Sequence, residues 1–347
     1  MDLVEAFQRQ AVACEQLGSE LYADLLRQVV DDYERGGVST RVLAGHEEDS
    51  GPSALALRLL GSVHRLVLAR EAPELAAFYP STGGEWDPVL GWEAFEQVLQ
   101  SRGPELAILL TQPPQTNEVG RSTALYGGLL RLAETVDLPI RLLEIGASGG
   151  LNLRADHFHY ALADGTSFGR PGSPVVFADA WSGRPLRPAP GLRIAERIGS
   201  DINPVNPLTS EGALTLTSYV WPDMTARLAR LRGALEVARE VPADVRREDA
   251  VSFLRNVELS EGHVTVIWHS VMWQYLSAAD KATADGLLED LGARATASSP
   301  LARLCLEPMR RDADAPHEFL VALQVWPTGE RRILGRAEPH GVPAVWF

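Results

Sequence analysis

The sequence predicts an α/β protein: a Rossmann-like, mostly parallel sheet with helices on both faces, joined to a helical N-terminal domain. Three observations carry this. His263-Val-Thr-Val-Ile-Trp268 is a continuous apolar run, the signature of a strand buried on both faces of a parallel sheet. Arg141-Leu-Leu-Glu-Ile145 is a second apolar run, and it ends in the glycine turn Glu144-Ile-Gly-Ala-Ser-Gly-Gly150. Before these, residues 1–135 show helical rather than alternating periodicity.

Residues 3–34 place Leu3, Phe7, Val12, Leu17, Leu21, Leu25, Val29 and Tyr33 at helical spacing, and Gly36-Gly37 ends the run. Residues 53–69 form a second amphipathic helix, with Leu55, Leu59, Leu60, Val63 and Val67 as its apolar face. Pro80 to Gly84 is rich in turn formers. A short helix follows at 92–101, then a second helix or a strand at 104–110, then a helix at 122–135. The pattern changes near residue 139, so an α/β domain is expected over 136–347. Within it, a helix-like stretch at 151–161 is followed by a Gly/Pro-rich segment at 165–190, read as an insertion. A strand over 192–202 ends at Asp201, and a helix over 222–238 is opened by Pro222. After the strand 263–268 come a helix at 277–291, a strand at 301–306 and an antiparallel pair at 318–326 and 331–337, turned by Pro327-Thr-Gly329. Strands alternating with helices imply right-handed βαβ units.

The chain has 347 residues, 45% of them apolar, enough for a sizeable core. Its formal charge of −14 argues against a broad nucleic-acid footprint, which needs clustered Lys and Arg. The two cysteines, Cys14 and Cys305, suit neither a disulfide framework nor a zinc site. No signal peptide or membrane-spanning run is evident, so a cytoplasmic protein acting on a small molecule is expected. Oligomeric state is not legible.

The glycine turn is the centre of the functional reading. Glycines there accept unusual φ/ψ and let a ligand approach the backbone, and the helix start behind them offers free N–H groups. The segment resembles the first motif of class I S-adenosylmethionine-dependent methyltransferases, with Glu144, Gly146 and Gly150 in place and Ser148 where the middle glycine usually stands. The resemblance implies S-adenosylmethionine as cofactor and a methyltransferase-type sheet of seven strands. It assigns Asp201, at the end of the second strand, to the ribose hydroxyls, and Asp249, in Glu248-Asp249-Ala250, to the adenine. Nearly the whole chain also resembles a bacterial family of proteins of unknown function, through Thr116-Asn-Glu-Val-Gly-Arg121, Leu143-Glu-Ile-Gly-Ala-Ser-Gly-Gly-Leu-Asn152 and Tyr219-Val-Trp-Pro-Asp223.

Other residues complete the expected site. His269, at the carboxyl end of the strand 263–268, is the candidate general base, against the plainer role of a strand-end hydrogen-bonding histidine. Trp268, Trp273 and Tyr275 would wall a substrate pocket or contact a cationic sulfonium, against a core role. Asn117 and Arg121 would fold over the cofactor, with Arg121 near its carboxylate, or else cap a helix start. His64 would face the cleft from the N-terminal domain, which would act as a lid. Asp156-His157-Phe-His159 does not share one helical face, so no metal site is read there. Gly146-Ala-Ser-Gly-Gly150 also satisfies the nucleophile elbow of α/β-hydrolases. That alternative makes Ser148 a nucleophile served by His269, His317 or His340. A non-catalytic cofactor-binding protein is the third reading.

Overall fold

A computed structural model describes residues 2–47, 49 and 54–347, so residue 53 of the second expected helix lies outside the described residues. The chain forms two compact units: one of the residues up to Thr116 with Thr209–Ala229, the other of Asn117–Leu208 with Arg230–Phe347.

The first unit is helical, with α1 (Leu3–Gln16), α2 (Glu20–Glu34), α3 (Val38–Val42), α4 (Leu55–Leu68), α5 (Pro73–Ala76) and α6 (Leu90–Leu109). The single run expected over 3–34 is broken in two. Gly18 takes φ +88 and closes α1. Ser19 then caps α2: its Oγ accepts from Tyr22 N and donates to Asp223 Oδ1 at 2.7 Å. Conversely, 92–101 and 104–110 are one helix with Pro104 inside it. Phe95, Val98 and Leu99 before the proline and Leu106 after it are all buried, and this shared burial overrides the lost backbone bond. The core gathers Phe7, Leu25, Leu59, Leu60 and Phe95 around Trp221.

The second unit contains α7 (Ser122–Ala133), β1 (Ile140–Ile145), β2 (His159–Ala161), β3 (Ser167–Gly169), β4 (Val176–Ala178), β5 (Trp181–Gly183) and β6 (Ile194–Asp201). Helix α8 (Ser210–Ser218) returns to the first unit, and α9 (Thr225–Glu240) begins there and continues into the second; Pro222 precedes α9 rather than opening its first turn. The chain then runs through β7 (Asp244–Arg247), α10 (Ala250–Arg255), β8 (Val264–Ser270), α11 (Ala278–Ala293), β9 (Leu301–Met309), β10 (Glu318–Trp326), β11 (Glu330–Ala337) and β12 (Ala344–Trp346). The main sheet has the order β5-β12-β11-β10-β9-β8-β1-β6-β7. Strands β7, β6, β1, β8 and β9 are mutually parallel, and β10, β11 and β12 follow as an antiparallel meander.

Nine strands replace the seven expected. The C-terminal meander adds β12, and the 165–190 segment returns β5 to pair with it in parallel. That segment also builds a small sheet in the order β3-β2-β4, so 151–161 is a 3₁₀ stretch over Leu151–His157 followed by β2 rather than one helix. Helix α7 packs on the face that carries Leu304, where Gly128 admits the leucine. The opposite face carries Leu143, Ile145, Ile267 and Leu301, which form one core with α10 and α11 residues such as Phe253 and Leu288. The sheet is thus Rossmann-like, with helices on both faces. Among the described residues no helix is long and apolar enough to cross a membrane.

Candidate functional site

The order of the five parallel strands reverses direction at β1, which lies between β6 and β8. Ligands of open α/β sheets bind at the carboxyl edge of such a switch point. The glycine turn leaves β1 there. Gly146 and Ala147 both donate their N–H to Ser200 O, which docks the turn on the end of β6. Gly146 has φ +72 and Gly150 φ +65. A Cβ on Gly150 would also stand 2.6 Å from Val245 Cγ2, so glycine is required at this position on two counts. Ser148 adopts φ +51, and its N–H donates to Asp201 Oδ2 at 2.9 Å. Asp201 Oδ1 accepts from Asn203 N at 2.8 Å. Asp201 therefore shapes the turn with one lone pair of each oxygen and keeps another on each.

The next residues close over this edge. Asn117 Oδ1 accepts from Leu151 N at 2.9 Å, and Asn152 Nδ2 donates to Glu118 O. Arg121 donates through Nη1 to Ser270 O and through Nε to Pro339 O. The segment 117–121 thus runs from the turn after β1 to the end of β8. Its asparagine and arginine hold backbone: Arg121 spends these donors on carbonyls rather than standing open for a ligand carboxylate. Arg154 supports the turn from below, donating to Gly150 O and Val241 O.

Glu144 is 2% exposed, in register with Trp268 of β8. Burial pushes its carboxyl up to about 8; the Trp268 indole and the Arg154 guanidinium pull the other way. Among the described residues Glu144 Oε2 and Asn152 Oδ1 are buried acceptors with no donor within hydrogen-bond distance. Trp268 itself is fully buried, so it lies under the site and walls no pocket. Asp249 follows β7 as expected, but its carboxylate caps α10, accepting from Val251 N, Ser252 N and the Ser252 hydroxyl. Its oxygens are thus occupied by the helix start.

His269 lies elsewhere. Glu144 pairs with Trp268, and Trp268 with Leu304, so these side chains share the α7 face; His269 pairs with Ile145 and Cys305 and faces α11. The acid of the glycine turn and the expected base stand on opposite faces of the sheet. His269 is 1% exposed. Its Nδ1 lies 2.8 Å from Glu307 Oε1, and Arg303 Nε donates to its Nε2 at 3.2 Å. The second bond makes Nε2 the acceptor and assigns the proton to Nδ1. Burial lowers the pKa of the ring, opposed by Glu307. A neutral imidazole with both nitrogens engaged is a positioning group, not the free base expected from sequence. Trp273 stacks on His269 with ring centroids 4.6 Å apart, and Arg303 lies 4.3 Å from the Trp273 centroid. This cluster forms one wall of a cavity of about 750 Å³, within the range of small-molecule sites. Sequence reasoning missed Lys281, Arg303, Glu307 and Arg331, which also line it. A signal was available: Arg303, Cys305 and Glu307 alternate along β9, which places them on one face.

Two expectations fall away. Tyr275 is 55% exposed and is absent from the cavity lining. His64 is fully buried within the helical unit, its Nδ1 at Ser218 O and its Nε2 at Ser81 Oγ, so it is a satisfied core histidine and faces no cleft.

The family model described as uncharacterized protein conserved in bacteria (DUF2332) matches residues 4–346. The chain belongs to this family. No curated protein and no solved structure matches the chain. Of the three motifs that suggested such a family, two lie at the site just described. The third, Tyr219-Val-Trp-Pro-Asp223, belongs to the helical unit, where Asp223 anchors Ser19 and Leu21.

Proposed function

We propose that the carboxyl edge of the sheet at the glycine turn holds S-adenosylmethionine and that the protein transfers a methyl group from it to a small-molecule acceptor. The observation that carries the reading is the pair of buried acceptors without donors, Glu144 Oε2 and Asn152 Oδ1, beside a turn held by Asp201. Burial keeps Glu144 protonated at neutral pH in the free protein, and a cation beside it would offset the cost of the buried carboxylate and draw the proton off. S-adenosylmethionine supplies a methyl group on a cationic sulfonium and also carries an ammonium. Glu144 and Asn152 would take the cationic amino-acid end. Asp201 retains a lone pair on each oxygen, the acceptor pattern that two ribose hydroxyls require. Segment 117–121 and the Trp268 ring would exclude water from that end.

The hydrolase reading has less support. Ser148 has the left-handed backbone of a strained turn, but His269 has both nitrogens engaged by Glu307 and Arg303.

Titration with S-adenosylmethionine and S-adenosylhomocysteine, followed by calorimetry and thermal unfolding, tests the reading. A ligand at a hundred times its Kd stabilises the fold by about 2.7 kcal/mol. The expected result is binding of both ligands, with affinity lost in Glu144→Ala and in Asp201→Ala proteins that still unfold cooperatively. Absence of binding to folded wild-type protein sinks the reading, and fluorophosphonate labelling of Ser148 is then the next measurement.

A further inference from the structure

Lys281 is the only lysine in the chain; every other cationic side chain among its 32 Lys and Arg residues is arginine. It sits in the first turn of α11 and lines the cavity on the α11 face. Among the described residues its ammonium has no ion-pair partner. Arg331 of β11 also lines the cavity; among the described residues it likewise has no carboxylate partner, and its Nη2 donates to Met309 Sδ. The third cation, Arg303, is already neutralised by Asp285 at 2.7 Å. Two cations without a direct ion-pair partner among the described residues therefore line one cavity in a protein whose net charge is −14.

A second, independent observation points to a ligand. Glu307 is 4% exposed and lines the same cavity. Its Oε1 accepts from His269, Met272 N and Trp273 N, whereas its Oε2 is buried with no hydrogen-bond partner among the described residues. An orphaned carboxylate oxygen needs a donor. The His269 proton and the two backbone N–H groups hold the carboxylate in place, so it cannot turn away to find solvent.

We propose that this cavity is a binding site for a small molecule that carries an oxyanion and a hydrogen-bond donor. Lys281 and Arg331 take the oxyanion, a carboxylate or a phosphate. Glu307 Oε2 accepts from the amine or hydroxyl. Arg303, clamped between Asp285 and His269 over the Trp273 ring, forms the rigid wall between them. The site lies on the face opposite Glu144, and the proposal does not rest on the cofactor reading.

The single lysine makes the test direct. Lys281 is reductively methylated under limiting reagent, and its modification is read by peptide mass spectrometry against the N-terminal amine. Citrate and inorganic pyrophosphate are the two probes, one carboxylate and one phosphate, with glycerol as the neutral control. Labelling requires the free amine, so a probe at ten times its Kd slows it about tenfold. The expected result is protection of Lys281 by one of the two anions, with the N-terminal amine unaffected and glycerol inert. The anion that protects identifies the chemistry. Protection is expected to vanish in Arg331→Gln, a substitution at an exposed position. Equal labelling of Lys281 with and without both anions overturns the proposal, as does protection that persists unchanged in Arg331→Gln.

Discussion

At the scale of single residues, Glu144 sets a pH dependence. Its carboxyl rises from 4.5 to about 8 because burial disfavours the charged form. Between these values the unfolded chain has released the proton while the folded protein keeps it. The contribution of Glu144 to stability is therefore greatest below about pH 4.5, falls as pH rises and levels off above about 8. The full effect is on the order of a few kcal/mol. In Glu144→Gln, which keeps the shape of the protonated acid, this slope is expected to flatten. Urea unfolding of both proteins at intervals from pH 5 to pH 9 checks it. If the two curves stay parallel, Glu144 is not the group that titrates. Cys305, beside His269 in the sheet, is pushed the same way by burial, up to about 11. Its thiol is a packed apolar group and not a nucleophile.

At the scale of elements, close packing of α7 on the sheet depends on two glycines in sequence. A Cβ on Gly127 would stand 2.0 Å from Trp346 Cζ2, and one on Gly128 would stand 2.6 Å from Leu304. Trp346 belongs to β12, so Gly127 is where the helix admits the added C-terminal strand. Gly127→Ala gains helix propensity of about 1 kcal/mol but forces a buried tryptophan to move, at a cost of about 1–3 kcal/mol. Net destabilisation is expected, read as a lower denaturant midpoint with an unchanged slope. A midpoint equal to or above that of the wild type shows that Trp346 can yield. The helix itself was legible at 122–135, because its apolar periodicity is local. Its role was not, because nothing near residue 127 announces a tryptophan 219 positions away.

At the scale of the whole molecule, the two units respond oppositely to pH. His64 in the helical unit is held neutral by burial, its pKa lowered from 6.5 to about 4. Over that interval the unfolded chain binds a proton that the folded one refuses. The stability contributed by the neutral ring is present above pH 6.5 and is lost as pH falls towards 4. Glu144 works in the other direction in the sheet unit. Amide hydrogen exchange at pH 7 and pH 5, corrected for intrinsic rates, is expected to show α4 losing protection in acid while β1 does not. Protection of α4 that is equal at the two pH values removes His64 as the cause.

The sequence by itself determined the class of fold, the glycine turn and most of the strands around it. These are short-range signals: apolar runs, a helical period, glycines where φ must be positive. It also placed Asp201 at the end of the strand beside β1. Only the tertiary structure decided which residues meet. Side chains alternate along a strand, so the face each occupies depends on register, and a shift of one residue would exchange the two sets. The observed register sends Glu144 to the α7 face and His269 to the α11 face, separating two groups expected to act together. The same register brings Arg303 and Glu307 to His269 and opens a cavity that no local motif marks. Hydrogen bonding decided the rest: Asp249, Arg121 and His64 are spent on helix ends and carbonyls, a use that depends on which backbone groups the fold leaves unpaired.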